Sequence, residues 1–188
     1  LGFGTVAMTV PTADGSSGQV LATNGSGALS WSTLSSGATS VTGLSDGLIE
    51  DNSMYIGNDP SSSTSTAEYN VAVGTTALDA VTTGDGNVAF GYDALTATTT
   101  GFRNTAIGVD ALAANTTGSY NTASGSYALN ANTTGIYNTA YGYESMRYNI
   151  TGSYNSAFGL QSMRANTTGG YNTASGFQSL KSNTTGSN

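Results

Sequence analysis

The chain contains no cysteine and no histidine. Without cysteine there is no disulfide and no thiolate metal site, and the redox compartment stays open. Without histidine the commonest general base and metal ligand is missing. No nucleophile–base pair can be assembled from what remains, and nothing singles out a catalytic carboxylate pair. Positive charge is scarce too: Arg103, Arg147, Arg164 and Lys181 are the only four cations, against 11 acids, for a net charge of −7. A basic surface for nucleic acid is therefore not expected. There is no run of 18 apolar residues, so no membrane-spanning helix and no membrane insertion is expected. Leu, Ile, Val and Phe together supply 31 of 188 residues. That is too few for a thick globular core, but charged residues are only 8%, so the composition is not that of a disordered chain either.

What is present is Gly, Ala, Ser, Thr, Asn and 11 tyrosines, organised with a fixed period. From Asn70 onward one 17-residue unit is written seven times, beginning at Asn70, Asn87, Asn104, Asn121, Asn138, Asn155 and Asn172, without insertion or deletion. A strict period determines architecture. It also argues against catalysis, because an active site is normally unique. The first residue of each unit is Asn, the third Ala, the fifth Gly, the fourteenth Thr and the fifteenth Gly. The ninth is Leu78, Leu95, Leu112, Leu129, Met146, Met163 or Leu180. Glycines every 7 to 10 residues suit short strands and tight turns, and the unit is too short for a helical hairpin. The expected fold is all-β, a parallel β-solenoid of 17-residue coils over 70–188. Seven coils at the strand spacing rise by about 34 Å. The seven Asn residues are expected to form a side-chain ladder, and the Leu/Met column an apolar spine. The Ala column marks either the coil interior or a contact with another chain.

Residues 1–69 precede the repeats. Gly2–Val10 has strand character and Asp14–Gly18 is a turn cluster. Gln19–Thr23 and Ala28–Thr33 flank Asn24-Gly25-Ser26-Gly27, a hairpin signal that Trp31 would cover. Residues 35–47 read as linker, Ser53–Gly57 as a short strand and Asp59–Thr66 as a polar loop.

The unit N-T-A-x-G-x-x-A-L-x-x-N-T-T-G resembles the head repeats of trimeric autotransporter adhesins. It is more similar to related repeats of bacteriophage tail fibres and other virion appendages. Residues 18–32 also resemble a segment common in phage fibre proteins. The resemblance implies a left-handed parallel β-roll, three chains about one axis and a rigid stalk. The NTTG arm is an extra bend relative to the shorter autotransporter coils. The function that the resemblance implies is an expectation: a structural segment of a virion appendage, a trimeric spacer presenting a host-binding tip, with other virion proteins as partners. The alternative is an adhesion module, on a virion or a bacterial cell surface, recognising a host receptor along the solenoid face.

Other features invite sharper readings. Tyr120, Tyr137, Tyr154 and Tyr171 share the seventeenth place, with Arg103 in the same column. They are a candidate ligand-binding column for sugars, or a stacked ladder or inter-chain seam. Asn115, Asn132, Asn149, Asn166 and Asn183 open glycosylation sequons, but Asn-Thr-Thr-Gly is better read as turn chemistry, with Asn bonding its own backbone and Gly taking positive φ. Adjacent threonines point to opposite sides of a strand, unlike an ice-binding array. Asp79, Asp93, Asp110 and Glu144 lack the calcium-binding nonapeptide, and Asp46, Glu50, Asp51 and Asp59 read as solvated charges. No cofactor or metal is expected.

Overall fold

The computed structural model describes residues 19–23, 29–33, 47–50, 52–57 and 66–187, and no helix occurs among them. The chain divides into two compact units, Leu1–Leu44 and Ser45–Asn188. In the first, β1 (Gln19–Thr23) pairs antiparallel with β2 (Leu29–Thr33), closing at Thr23 opposite Leu29. The Asn24-Gly25 turn signal falls in the intervening segment. Trp31 is 37% exposed. The strand reading at Gly2–Val10, the turn at Asp14–Gly18 and most of the 35–47 linker lie outside the described residues.

The second unit holds a nine-stranded sheet in the order β11-β10-β9-β8-β7-β6-β5-β4-β3. Seven of its strands come from the repeats, three residues from each: β5 (Val71–Val73), β6 (Val88–Phe90), β7 (Thr105–Ile107), β8 (Thr122–Ser124), β9 (Thr139–Tyr141), β10 (Ser156–Phe158) and β11 (Thr173–Ser175). They are parallel, and each alanine lies opposite the next: Ala72 on Ala89, Ala106 on Ala123, Ala157 on Ala174. This is a parallel β-solenoid with one 17-residue coil per turn.

The strand is short because glycine ends it at the fifth place. Gly125 has φ 139°, and an added Cβ there would sit 2.6 Å from Gly142 O in the next coil. The other arms are irregular in dihedral angle yet still pair between coils. Asp110, Leu112 and Tyr120 (seventh, ninth and seventeenth places) have φ of 57°, 53° and 60°, each a left-handed conformation that costs about 1 kcal/mol. Each of these N–H groups is held by a neighbouring coil. Asp110 N donates to Tyr92 O (2.9 Å), Leu112 N to Ala128 O (3.0 Å) and Tyr120 N to Phe102 O (3.1 Å). The strain recurs and is offset in the same way in coils two to six, so the stack propagates.

The register reaches one coil further upstream than the sequence period shows. β4 (Ser53–Ile56) pairs parallel with β5, and β3 (Gly47–Glu50) closes that edge antiparallel. Ser53 lies 17 residues before Asn70, and its Oγ accepts the Asn70 N–H at 2.9 Å, the bond an asparagine makes in later coils. Gly57 and Tyr69 keep the positive φ of the fifth and seventeenth places. Tyr55 occupies the alanine place and is fully buried at this end of the solenoid.

The interior is thin. Its contents per coil are the first-place Asn, the third-place Ala, the eighth-place Ala or Ser, the ninth-place Leu or Met and the twelfth-place residue. The alanine column is thus interior, packed in the same core as the Leu/Met column. Only Leu180, in the seventh coil, departs from that column's burial.

Candidate functional surfaces

Two amide ladders run inside the solenoid. In the first, Asn104, Asn121, Asn138, Asn155 and Asn172 each donate Nδ2 to the Oδ1 of the preceding asparagine at 3.0–3.2 Å. Each Oδ1 also accepts the next backbone N–H, as Asn70 Oδ1 does from Asn87 N at 2.8 Å. Each Nδ2 donates further to the fifteenth-place carbonyl of its own coil, from Gly84 O to Gly186 O. A buried amide costs free energy unless its donors and acceptor are all used, and in coils three to six they are. The second ladder is not evident from the sequence period alone. Asn132, Asn149, Asn166 and Asn183 donate Nδ2 to Asn115, Asn132, Asn149 and Asn166 Oδ1 at 2.8–3.0 Å. These are the sequon asparagines. Asn115, Asn132, Asn149 and Asn166 are fully buried, which leaves no access for glycosylation.

The turn reading of Asn-Thr-Thr-Gly needs one correction. Asn132 does bond its own backbone, through Nδ2 to Gly135 O at 3.1 Å. The fifteenth-place glycines, however, do not take positive φ. They are glycine because the coils approach closely there: a Cβ on Gly118 would lie 2.5 Å from Gly135 O and 3.0 Å from Asn132 Nδ2. The glycines that take positive φ are those at the fifth place of every coil, with Gly86 at the seventeenth place of the first.

The tyrosine column forms a stack. Ring centroids are 4.6 Å apart for Tyr120–Tyr137, 5.1 Å for Tyr137–Tyr154 and 4.9 Å for Tyr154–Tyr171, with interplanar angles of 4°, 14° and 2°. The Arg103 guanidinium lies 5.7 Å from the Tyr120 ring centre. Ring faces within this column cover one another, so what it offers solvent along its length is edges and hydroxyls.

A second surface lies on the outside of the sheet. With alanine pointing inward at the third place, the second and fourth places must point outward. They carry Val88, Phe90, Ile107, Tyr141 and Phe158, all exposed, with Phe90 at 58%. Tyr92, Val109, Tyr143, Leu160 and Phe177 follow at the sixth place, also exposed. No second, fourth or sixth place in the seven coils is charged. The sequence reading did not single out this face; the period-two alternation around the invariant alanine is the signal that points to it.

The third feature is a polar clasp. The buried Glu144 carboxylate accepts from Arg147 Nη1, from Arg164 Nε at 2.6 Å and from Gln161 Nε2 at 2.9 Å. Burial pushes this carboxyl up, but the hydrogen bonds from Arg164, Gln161 and Arg147 outweigh it, and its pKa lies below the ordinary glutamate value. Arg147 lies over the rings of Tyr127 (4.9 Å) and Tyr148 (5.3 Å), and Arg164 over Tyr148 (4.9 Å). Earlier in the same column, Asp110 is raised by burial and by Asp93 one coil away. Among the described residues no three acids gather as a metal site; Asp79 is at the tenth place of its coil, Asp93 and Asp110 at the seventh of theirs. The side chains of Asp46, Glu50, Asp51 and Asp59 lie outside the described residues.

No known family model matches the chain, and no curated protein or solved structure compared with it does.

Proposed function

We propose that this chain is a structural segment of a phage tail fibre or similar virion appendage: a rigid left-handed β-roll, three copies about a common axis, that spaces and presents a host-binding tip. The observation that carries the reading is the uncharged outer sheet face. Its large apolar side chains recur at the coil spacing in coils two, three, five and six. Exposed apolar surface of this extent marks an interaction site. A partner that matches it layer by layer must share its axial period, and another copy of this chain does. Rotational symmetry about an axis along the solenoid sets coil against identical coil, so the Phe90 copies share one level and the Phe158 copies another, and each set packs together where the face lies on the axis. Association also supplies the apolar burial that an Ala- and Leu-lined interior lacks.

Mechanically, the paired amide ladders and inter-coil hydrogen bonds make the stack stiff, while nothing in the repeated columns resembles catalytic machinery. The test has two arms. The F90S/F158S double variant should keep its far-ultraviolet circular dichroism but lose association in light scattering; unchanged association sinks the assignment of the face. Deleting Asn104–Tyr120 removes one whole coil and should leave a folded rod, about 4.8 Å shorter. A deletion that unfolds the protein contradicts a modular spacer.

A further inference from the structure

Three of the chain's four cations occupy one column. Arg147, Arg164 and Lys181 stand at the tenth place of coils five, six and seven, each 17 residues from the next. Coils five to seven contain a single acid, Glu144, so their net charge is three minus one, or +2. Coils one to four carry Asp79, Asp85, Asp93 and Asp110 against Arg103, a net −3. The solenoid is therefore electrically polarised along its length, within a chain that is acidic overall.

Stacked like charges are unfavourable unless something uses them. Glu144 compensates one, and its role is also geometric: it fixes both guanidiniums, through Arg147 Nη1 and Arg164 Nε. Tyr148 lies between them, its hydroxyl accepting from Arg164 Nη2 at 3.3 Å. Tyr127 and Tyr148 lie against the pair, with the Tyr143 ring edge-on to Tyr127; Gln161 and Gln178 continue the neighbouring column, Gln178 Nε2 donating to Gln161 Oε1 at 2.9 Å. The result is a pair of fixed guanidiniums edged by aromatic rings and side-chain amides, with Lys181 continuing their column one coil on.

The chemistry that fits is an acidic polysaccharide. Guanidinium groups bind carboxylates through paired N–H donors, and both arginines keep N–H groups beyond those given to Glu144. Aromatic side chains pack on sugar rings. An extended glycan repeats its rings on a spacing similar to that between coils, so successive carboxylates can meet successive coils. Asp110 offsets Arg147, two coils away, in part, but the far end of the column is clear of the acids of the first coils. Lys181 and Asp110 are four coils apart, about 19 Å at the strand spacing, beyond the ~8 Å screening length at physiological salt.

We propose that the Arg147–Arg164–Lys181 column binds a carboxylate-bearing polysaccharide laid along the solenoid axis. The inference is independent of the spacer reading, because association is measured separately. The test uses the whole chain in affinity electrophoresis through gels containing polygalacturonate, neutral dextran or double-stranded DNA. Polygalacturonate should retard it at low salt and dextran should not. K181E should weaken binding about tenfold. Removing one arginine would strand the buried Glu144, so the clasp is neutralised as a unit in E144Q/R147Q/R164Q. That variant should also lose retardation while its circular dichroism is retained. D79N, at the tenth place of the first coil, should bind as the parent does. The proposal is overturned by no retardation in polygalacturonate, by equal retardation of K181E, or by DNA binding as tight as polysaccharide binding.

Discussion

Replacing Asn121 with alanine should destabilise the protein by about 4 kcal/mol. Its side chain is fully buried in the middle coil and makes four hydrogen bonds. Nδ2 donates to Asn104 Oδ1 (3.2 Å) and Gly135 O (2.8 Å); Oδ1 accepts from Asn138 N (3.0 Å) and Asn138 Nδ2 (3.1 Å). Three of the four partners keep another bond after truncation. Gly135 O still accepts from Asn132, Asn104 Oδ1 from the Asn121 backbone, and Asn138 Nδ2 still donates to Gly152 O. The Asn138 backbone N–H alone is orphaned. An orphaned buried donor costs about 2 kcal/mol, and each of the other lost bonds about 0.5–1 kcal/mol. The upstream coil supplies an internal control. Ser53 fills this column there, and its Oγ accepts the Asn70 N–H. N121S should therefore recover about 1–2 kcal/mol relative to N121A, by keeping an acceptor for Asn138 N. Urea unfolding followed by circular dichroism, with the slope checked for equality among variants, measures both. Equal stabilities for N121A and N121S, or a loss below about 1 kcal/mol for N121A, would refute the hydrogen-bond reasoning.

The same geometry sets further outcomes. G101A should cost about 3 kcal/mol in the same unfolding assay, because the new Cβ meets Gly118 O at 2.5 Å, backbone against backbone. G170S should cost about 1 kcal/mol, because the new Cβ would lie 2.9 Å from the Ser153 backbone oxygen, a close approach that outweighs the acceptor which Ser119 and Ser153 supply in this column to the Phe102 and Ile136 N–H groups. The two column-mates Glu144 and Asp110 should respond to acid with opposite signs in thermal melts. The lowered pKa of Glu144 gives stability that is complete above the unfolded glutamate value and is lost as pH falls through the lower folded one. The raised pKa of Asp110 is a liability at neutral pH that protonation relieves, so D110N should raise Tm at pH 7 and have no effect well below the ordinary aspartate value.

The coil is legible in the sequence because the period forces equivalent residues into stacked positions. A column that is always Asn, Ala or Gly reports the space and hydrogen-bond partners at one point of every coil. The hairpin at Gln19–Thr33 and the strand at Ser53–Ile56 are equally visible, from Asn-Gly chemistry and a short apolar run. The upstream coil is hidden because substitution has erased its columns: serine for asparagine at Ser53, tyrosine for alanine at Tyr55. The fifteenth-place glycine misleads because clearance between coils and left-handed φ both demand glycine, and sequence does not separate them. The Glu144 clasp joins residues 20 apart, Glu144 and Arg164, which become neighbours only once the coil length and the direction of each arm are known. The outer apolar face is readable in principle from the places flanking the invariant alanine. Its scattered Phe, Tyr, Ile and Val look variable because they alternate with Ser and Thr, and the one property held constant there is the absence of charge.

The central claim is that three such solenoids associate through that face into one rod. The mass in solution tests it most directly. Light scattering coupled to size exclusion should give about 56 kDa, three times the 18.8 kDa chain, with the elongated hydrodynamic profile of a rod. A mass of 18.8 kDa at micromolar concentration would contradict the account.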